Sequence, residues 1–315
     1  GRAQTKSAVS YKNPVVDIAM PDPTVIKAAD GYFYVYATES TRNVPIMKSK
    51  DLVEWTYCNT AFTNKTRPRF EPKAGIWAPD INYINGKYVL YYAMSVWGGE
   101  QTCGIGVATA NSPQGPFTDH GKMFRSNEIG VQNSIDPSLL QYEGRNYLVW
   151  GSFRGIYVIE LTADGLSIMS GAKKKRIAGT AFEAVYIHKH GDYYYMFASI
   201  GSCCQGVKST YKVVVGRSKK VWGPYKDKTG KPMLKNGYSL VIGANDHFVG
   251  NGHGSQIIQD DAGQDWLLYH GFSRSTPENG RILLLDQIKW DQEGWPYVEG
   301  GSPSYETQKA PVFNN

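Results

Sequence analysis

Asn85–Ala93 reads NGKYVLYYA, a glycine turn running into a block of aromatic and aliphatic residues. A block of this kind bounded by a turn reads as a buried strand. The phrase returns at Asp30–Ala37 (DGYFYVYA), Glu143–Gly151 (EGRNYLVWG), His190–Ala198 (HGDYYYMFA) and Gly263–Gly271 (GQDWLLYHG). Successive copies lie 47 to 72 residues apart, a period that marks solenoids, propellers or arrays. Helical periodicity over ten or more residues is scarce, which argues against helical repeats. Radial repetition protects strand edges, and four strands per copy fit the length. The expected fold is all-β, a five-bladed β-propeller, with residues 1–315 forming one domain.

A second phrase supports the repeat. Ile105–Phe117 (IGVATANSPQGPF) and Val213–Tyr225 (VVVGRSKKVWGPY) each read as a strand, a polar turn and Gly-Pro-aromatic. They are expected in the outer halves of blades 2 and 4. Ile46–Trp55 (IMKSKDLVEW) looks like a shorter version in blade 1.

Composition excludes several classes. The 315 residues are 41% hydrophobic and 20% charged, so a sizeable core is available and disorder is not indicated. The net charge of +6 is mild, and the one basic run, Lys173–Arg176 (KKKR), reads as a solvated turn. No nucleic-acid or membrane partner is expected, because no apolar stretch approaches the ~18 residues of a membrane span. The four cysteines, Cys58, Cys103, Cys203 and Cys204, contain no CxxC pair, which disfavours structural zinc. Cys203 and Cys204 are adjacent and cannot form an ordinary bridge without a strained ring. Gly1–Lys6 (GRAQTK) shows no signal-peptide pattern.

A polar residue stands in a short strand before each repeat. These residues are Asp22 in MPDPTV, Asp80 in WAPDI, Asp136 in SIDPSL, Glu183 in FEAVY and His253 in GHGSQI. First strands of propeller blades line the central channel, so four carboxylates and one histidine are expected to converge at one end. Like charges at close range raise the pKa of at least one member, which makes the cluster a metal site or an acid/base site. Glycoside hydrolysis needs one protonated and one ionised carboxyl group, and a gap of ~6.5–9.5 Å admits a water and inverts the anomeric carbon. Trp77, three residues before Asp80, and Trp97 offer faces for sugar stacking.

The motifs PDPTV, GIWAPD, SIDPSL, WGSF, FEAVYI, CCQGVKSTYKVVVGRS and GNGHGS resemble glycoside hydrolase family 43, and within it the α-1,5-L-arabinanases, from about Val15 to Trp295. The resemblance implies a five-bladed propeller and an inverting mechanism. It assigns Asp22 as general base, Glu183 as general acid and Asp136 as the acid that tunes pKa and orients the donor. It places Trp77, Asp80, Ser152 and Phe153 at the sugar pocket. It makes His253 the ligand of a cation, usually calcium, with a water-rich shell. Val185 and Asn251 stand where the family more often has proline. The implied activity is hydrolysis of arabinan or arabino-oligosaccharides, endo action favoured over exo. The alternatives are an arabinofuranosidase or β-xylosidase on the same scaffold, and a non-catalytic carbohydrate-binding propeller. The loops Asn59–Pro72, Gly98–Thr102 and Gly201–Ser209 are expected to set endo or exo action. A monomer without an organic cofactor, extracellular or periplasmic, completes the expectation.

Overall fold

The computed structural model describes residues 7–314; Gly1–Lys6, read above for a signal peptide, lies outside them. Each repeated phrase forms the second strand of a four-stranded antiparallel blade. These strands are Phe33–Tyr36, Lys87–Ser95, Arg145–Trp150, Tyr193–Ile200 and Asp265–Ser273. They do not alternate in burial: Phe33–Tyr36 and Asp265–Ser273 are buried throughout. Both faces of a blade pack on neighbouring blades, so both sets of side chains must be apolar. The repeat glycines Gly31, Gly86, Gly144, Gly191 and Gly263 all have positive φ, the backbone state that glycine adopts without steric cost. At Asn85-Gly86 and Glu143-Gly144 both residues are left-handed, as two-residue hairpins require.

The inner strands are Thr24–Lys27, Gly75–Ile84, Ser138–Tyr142, Glu183–His190 and Phe248–Gly252. In blade 5 the strand expected at Gly252–Ile257 is instead split around it, into Phe248–Gly252 and Ile258–Gln259, both paired with Asp265–Ser273, and His253 breaks the ladder between them with φ 56°. The Ile105 and Val213 phrases form third strands, Gly104–Ala110 and Lys212–Ser218. Each is followed by a cis Gly-Pro bond, Gly115-Pro116 and Gly223-Pro224. Lys175 and Arg176 of the basic run lie exposed on the edge strand Lys175–Ala178 of blade 3, where charge discourages pairing with other chains.

The ring closes between the chain ends. Val16–Ala19 supplies the outermost strand of blade 5, pairing with Ile282–Trp290. The Asn13 amide extends the ladder, accepting from Leu285 N at 2.9 Å and donating to Leu285 O at 3.0 Å. Five large apolar clusters fill the wedges between successive blades. Trp150 is fully buried in one of them, and its Nε1 donates to Ser134 Oγ at 3.0 Å. Truncating such a side chain to alanine costs about 3–5 kcal/mol. Among the described residues no helix is long and apolar enough to cross a membrane.

Candidate active site

Five residues enter the inner strands in the left-handed region: Asp22, Ala78, Asp136, Ala184 and His253, with φ between 35° and 58°. Non-glycine residues adopt this state rarely and only where the surroundings enforce it. Its recurrence marks the true equivalent position of each blade. Asp80 stands two residues past that position in blade 2, and Glu183 one residue before it in blade 4.

Two consequences follow for the acids. A cleft of about 730 Å³ opens at this end of the axis, and Asp22, Asp136, Glu183 and His253 all border it. Trp77, Ser152 and Phe153 line the same cleft. Asp80 does not. It borders a void of about 20 Å³ deeper in the channel, with Thr24, Ser138, Ser255 and Gln256. Its Oδ2 accepts from Asn82 Nδ2 at 2.8 Å and Leu139 N at 2.9 Å, and its Oδ1 from Gln256 Nε2 at 3.0 Å. Asp80 therefore ties blades 2, 3 and 5 together and is withdrawn from the sugar cleft. Burial pushes its carboxyl up to about 7.

The three remaining acids sit in unlike surroundings. Asp22 takes four partners. Thr38 Oγ1 donates to its Oδ2 at 2.6 Å, and its backbone N–H donates to His270 Nδ1 at 3.0 Å. His253 Nδ1 lies 3.0 Å and Arg281 Nη1 3.2 Å from its Oδ1. Burial alone would raise this carboxyl; the Arg281 and His253 charges overcome it and hold Asp22 well below the usual range. Glu183 receives the Ser152 hydroxyl on Oε1 at 2.6 Å and the Tyr211 hydroxyl on Oε2. Burial raises its pKa, and these two donors moderate the rise. Asp136 accepts Ala184 N at 3.1 Å and is raised further, by burial and then by the Glu183 charge. The Asp136–Glu183 pair thus keeps a proton to higher pH than free carboxyls do. Burial disfavours charge on His253, but Asp22 and the other two acids win and lift it to about 9.

The aromatic wall is a pair. Trp77 and Trp97 pack with ring centroids 5.4 Å apart and planes inclined at 52°. Trp97 is 77% exposed, so its face is open to the cleft. A Cβ at Gly75 would come within 2.8 Å of the Trp77 indole nitrogen, so only glycine lets that ring take its place.

Several site residues escaped the sequence reading. His270 stands in the fifth repeat where the other copies carry Tyr36, Tyr92, Trp150 and Phe197; an imidazole at an aromatic position was a usable signal. Tyr211 lies inside the quoted CCQGVKSTYKVVVGRS stretch but carried no stated role. Arg281 belongs to no repeat, and only the fold brings it to Asp22. Of the three loops, Gly98–Thr102 and Gly201–Ser209 contribute to the cleft wall, whereas Asn59–Pro72 acts from behind. Arg67 of that loop pairs with Glu39 at 2.7 Å, and Glu39 lines the cleft. Cys203 and Cys204 border the cleft and are bridged to each other.

The donor chemistry fits a hard cation near His253. This histidine borders both the cleft and the void beneath it, and the void is lined by Thr24, Asp80, Ser138 and Ser255, all with oxygen-bearing side chains. Calcium prefers such oxygen ligands, and the void holds about one water-sized occupant.

A propeller with carboxyls of opposed proton affinity beside an aromatic wall defines the glycoside hydrolase class. The family model for glycosyl hydrolases family 43 matches residues 11–296, and the chain belongs to that family. It is 36% identical over 306 residues to an extracellular exo-α-(1→5)-L-arabinofuranosidase of Cellvibrio japonicus, covering 88% of this chain and 86% of the relative. It is also 36% identical over 289 residues to an extracellular endo-α-(1→5)-L-arabinanase of Bacillus subtilis, covering 87% and 86%. Among solved structures, Cellvibrio cellulosa α-L-arabinanase complexed with arabinohexaose superposes with a TM-score of 0.81 at 33% identity. That superposition covers 89% of this chain and 95% of the other.

Proposed function

We propose that this hydrolase cleaves α-1,5-linked L-arabinofuranosyl chains with inversion, endo action favoured. The observation that carries the reading is the opposed electrostatics of two cleft carboxyls, Asp22 held ionised and Glu183 held towards protonation. Similarity to both an exo- and an endo-acting enzyme on this linkage supports the substrate. A cleft of about 730 Å³ lies in the upper part of the range for small-molecule sites and suits an oligosaccharide.

In this mechanism Asp22 takes a proton from water as the water oxygen bonds to the anomeric carbon. Glu183 gives its proton to the departing glycosidic oxygen, so one water is added across the bond. Asp136, hydrogen-bonded to Ala184 N next to Glu183, shares with Glu183 a proton that the buried pair keeps to higher pH than free carboxyls do, and so holds the donor side of the site protonated. Ser152 and Tyr211 fix the Glu183 carboxyl plane. Trp77 and Phe153 hold the sugar ring. His253 and neighbouring channel oxygens would hold calcium, completed by water, which when bound supplies positive charge beside the acids.

Linear arabinan, arabinoxylan and xylan offered in parallel test the substrate. Release of short arabino-oligosaccharides from linear arabinan, with viscosity falling ahead of reducing-sugar release, is expected. Release of monosaccharide alone from branch points would favour an arabinofuranosidase. No turnover on any of the three would favour a binding propeller. Chelation followed by verified metal removal tests the cation: lowered melting temperature or activity is expected, restored by calcium. The extracellular relatives support secretion, and the separate wedges of core within one ring support a monomer.

A further inference from the structure

The far end of blade 4 carries a second cluster of ligand-bearing side chains. His188 and His190 occupy alternate positions on the inner strand Glu183–His190, so both rings leave the same face. Asp265 opens the second strand of blade 5. One ligand atom from each of the three lies within 4.8 Å of the other two. A strand advances ~3.3 Å per residue, which puts His188 about 17 Å from Glu183, and neither histidine borders the cleft.

The arrangement is oriented from behind. The Trp290 indole lies flat on His190, with centroids 3.7 Å apart and planes 5° apart. The same indole donates from Nε1 to Asp265 Oδ2 at 2.8 Å. One side chain thus fixes two of the three groups, as outer partners of metal ligands do. The Tyr186 hydroxyl lies 3.5 Å from His188 Nδ1, which leaves Nε2 for another partner. Asp265 is only 5% exposed. Among the described residues, its one basic neighbour within ion-pair distance is His190, at 3.9 Å. A buried carboxylate without a close positive partner is costly, and a cation would remove that cost. His190 keeps 38% of its side chain exposed, giving an ion a path in.

We propose that His188, His190 and Asp265 bind a first-row divalent transition cation of the zinc type, clamping blade 4 to blade 5. Two imidazole nitrogens and a carboxylate oxygen are ligands that zinc accepts, with water completing the shell. Zinc bonds of about 2.0–2.2 Å in tetrahedral geometry bring ligand atoms to roughly 3.4 Å from one another. Side-chain shifts of about 1 Å close the present spacing to that value.

The test uses the full chain, stripped with a chelator and titrated with Zn²⁺ alone by calorimetry. Co²⁺ serves as a spectroscopic stand-in, and melting temperature is followed in parallel. One equivalent of Zn²⁺ is expected to bind and raise the melting temperature, and Co²⁺ to give visible bands of a low-coordinate site. His190→Phe preserves the stack on Trp290 and removes the nitrogen. It is expected to weaken Zn²⁺ binding by more than the ~10–100-fold that loss of an outer-shell partner causes, while leaving sugar turnover unchanged. Asp265→Asn, which retains an acceptor for Trp290, is expected to act likewise. Absence of Zn²⁺ binding to the stripped protein would overturn the proposal. So would Zn²⁺ binding that both variants leave intact, since that would place the ion away from His188, His190 and Asp265.

Discussion

The Arg281 guanidinium lies 3.2 Å from Oδ1 of Asp22, joining the start of a blade 5 strand to the entrance of blade 1. With His253 it outweighs the burial that would otherwise raise this carboxyl. A base must be ionised to take a proton from water, so activity is lost as pH falls through the depressed Asp22 pKa. Arg281→Gln is expected to move the acid limb of the kcat/KM profile upward by roughly 1–3 pH units. An unmoved limb would mean that Asp22 does not set it.

The alkaline limb belongs to Glu183. The Tyr211 hydroxyl stabilises its ionised form, so removing that donor raises the pKa further. Tyr211→Phe is expected to shift the alkaline limb to higher pH, measured on the same substrate. A downward shift would contradict the assignment of Glu183 as proton donor.

Glu183→Gln removes the proton itself. General acid catalysis typically contributes about 10²–10⁴-fold, and the loss on linear arabinan should fall in that range. An aryl arabinofuranoside whose leaving group needs no proton should be largely spared. Equal losses on both substrates would argue for a general structural defect, to be checked by melting temperature.

His253 couples the site to stability. Its folded pKa, about 9, lies above the usual 6.5, so its contribution is complete below pH 6.5 and is lost as pH rises through about 9. Asp22 behaves oppositely: its depressed pKa stabilises above the ordinary carboxylate range and is lost as pH falls through the folded value. In chelated protein, His253→Gln should therefore flatten the decline of melting temperature between about pH 7 and 10 relative to the parent. An identical slope would show that the imidazole charge is not stabilising.

Trp97 is exposed beside Trp77 and carries no part of the core. Trp97→Ala is expected to raise KM for linear arabinan with kcat and melting temperature nearly unchanged. A loss in kcat with KM fixed would place the indole nearer the reacting bond.

The blades were legible because each second strand repeats in local sequence what packing on two faces demands: Val35, Leu90, Val149, Met196 and Leu268 are all buried. Asp22, Asp136 and Glu183 were legible because each sits in a short motif beside the axis. Asp80 was drawn into the cluster because it is the one charged residue of WAPDI, whereas Ala78, two residues earlier, holds the left-handed position that Asp22 and Asp136 hold in their blades. The left-handed residues, which set the real register, leave no local signature at Ala78 or Ala184. Ring closure by Val16–Ala19 was equally hidden, because that pairing joins opposite ends of the chain.

The anomer first released from linear α-1,5-arabinan, followed by ¹H NMR before mutarotation, tests the central claim most directly. The account predicts the β anomer, produced by water that Asp22 activates on the face opposite the departing oxygen. Initial appearance of the α anomer would contradict it.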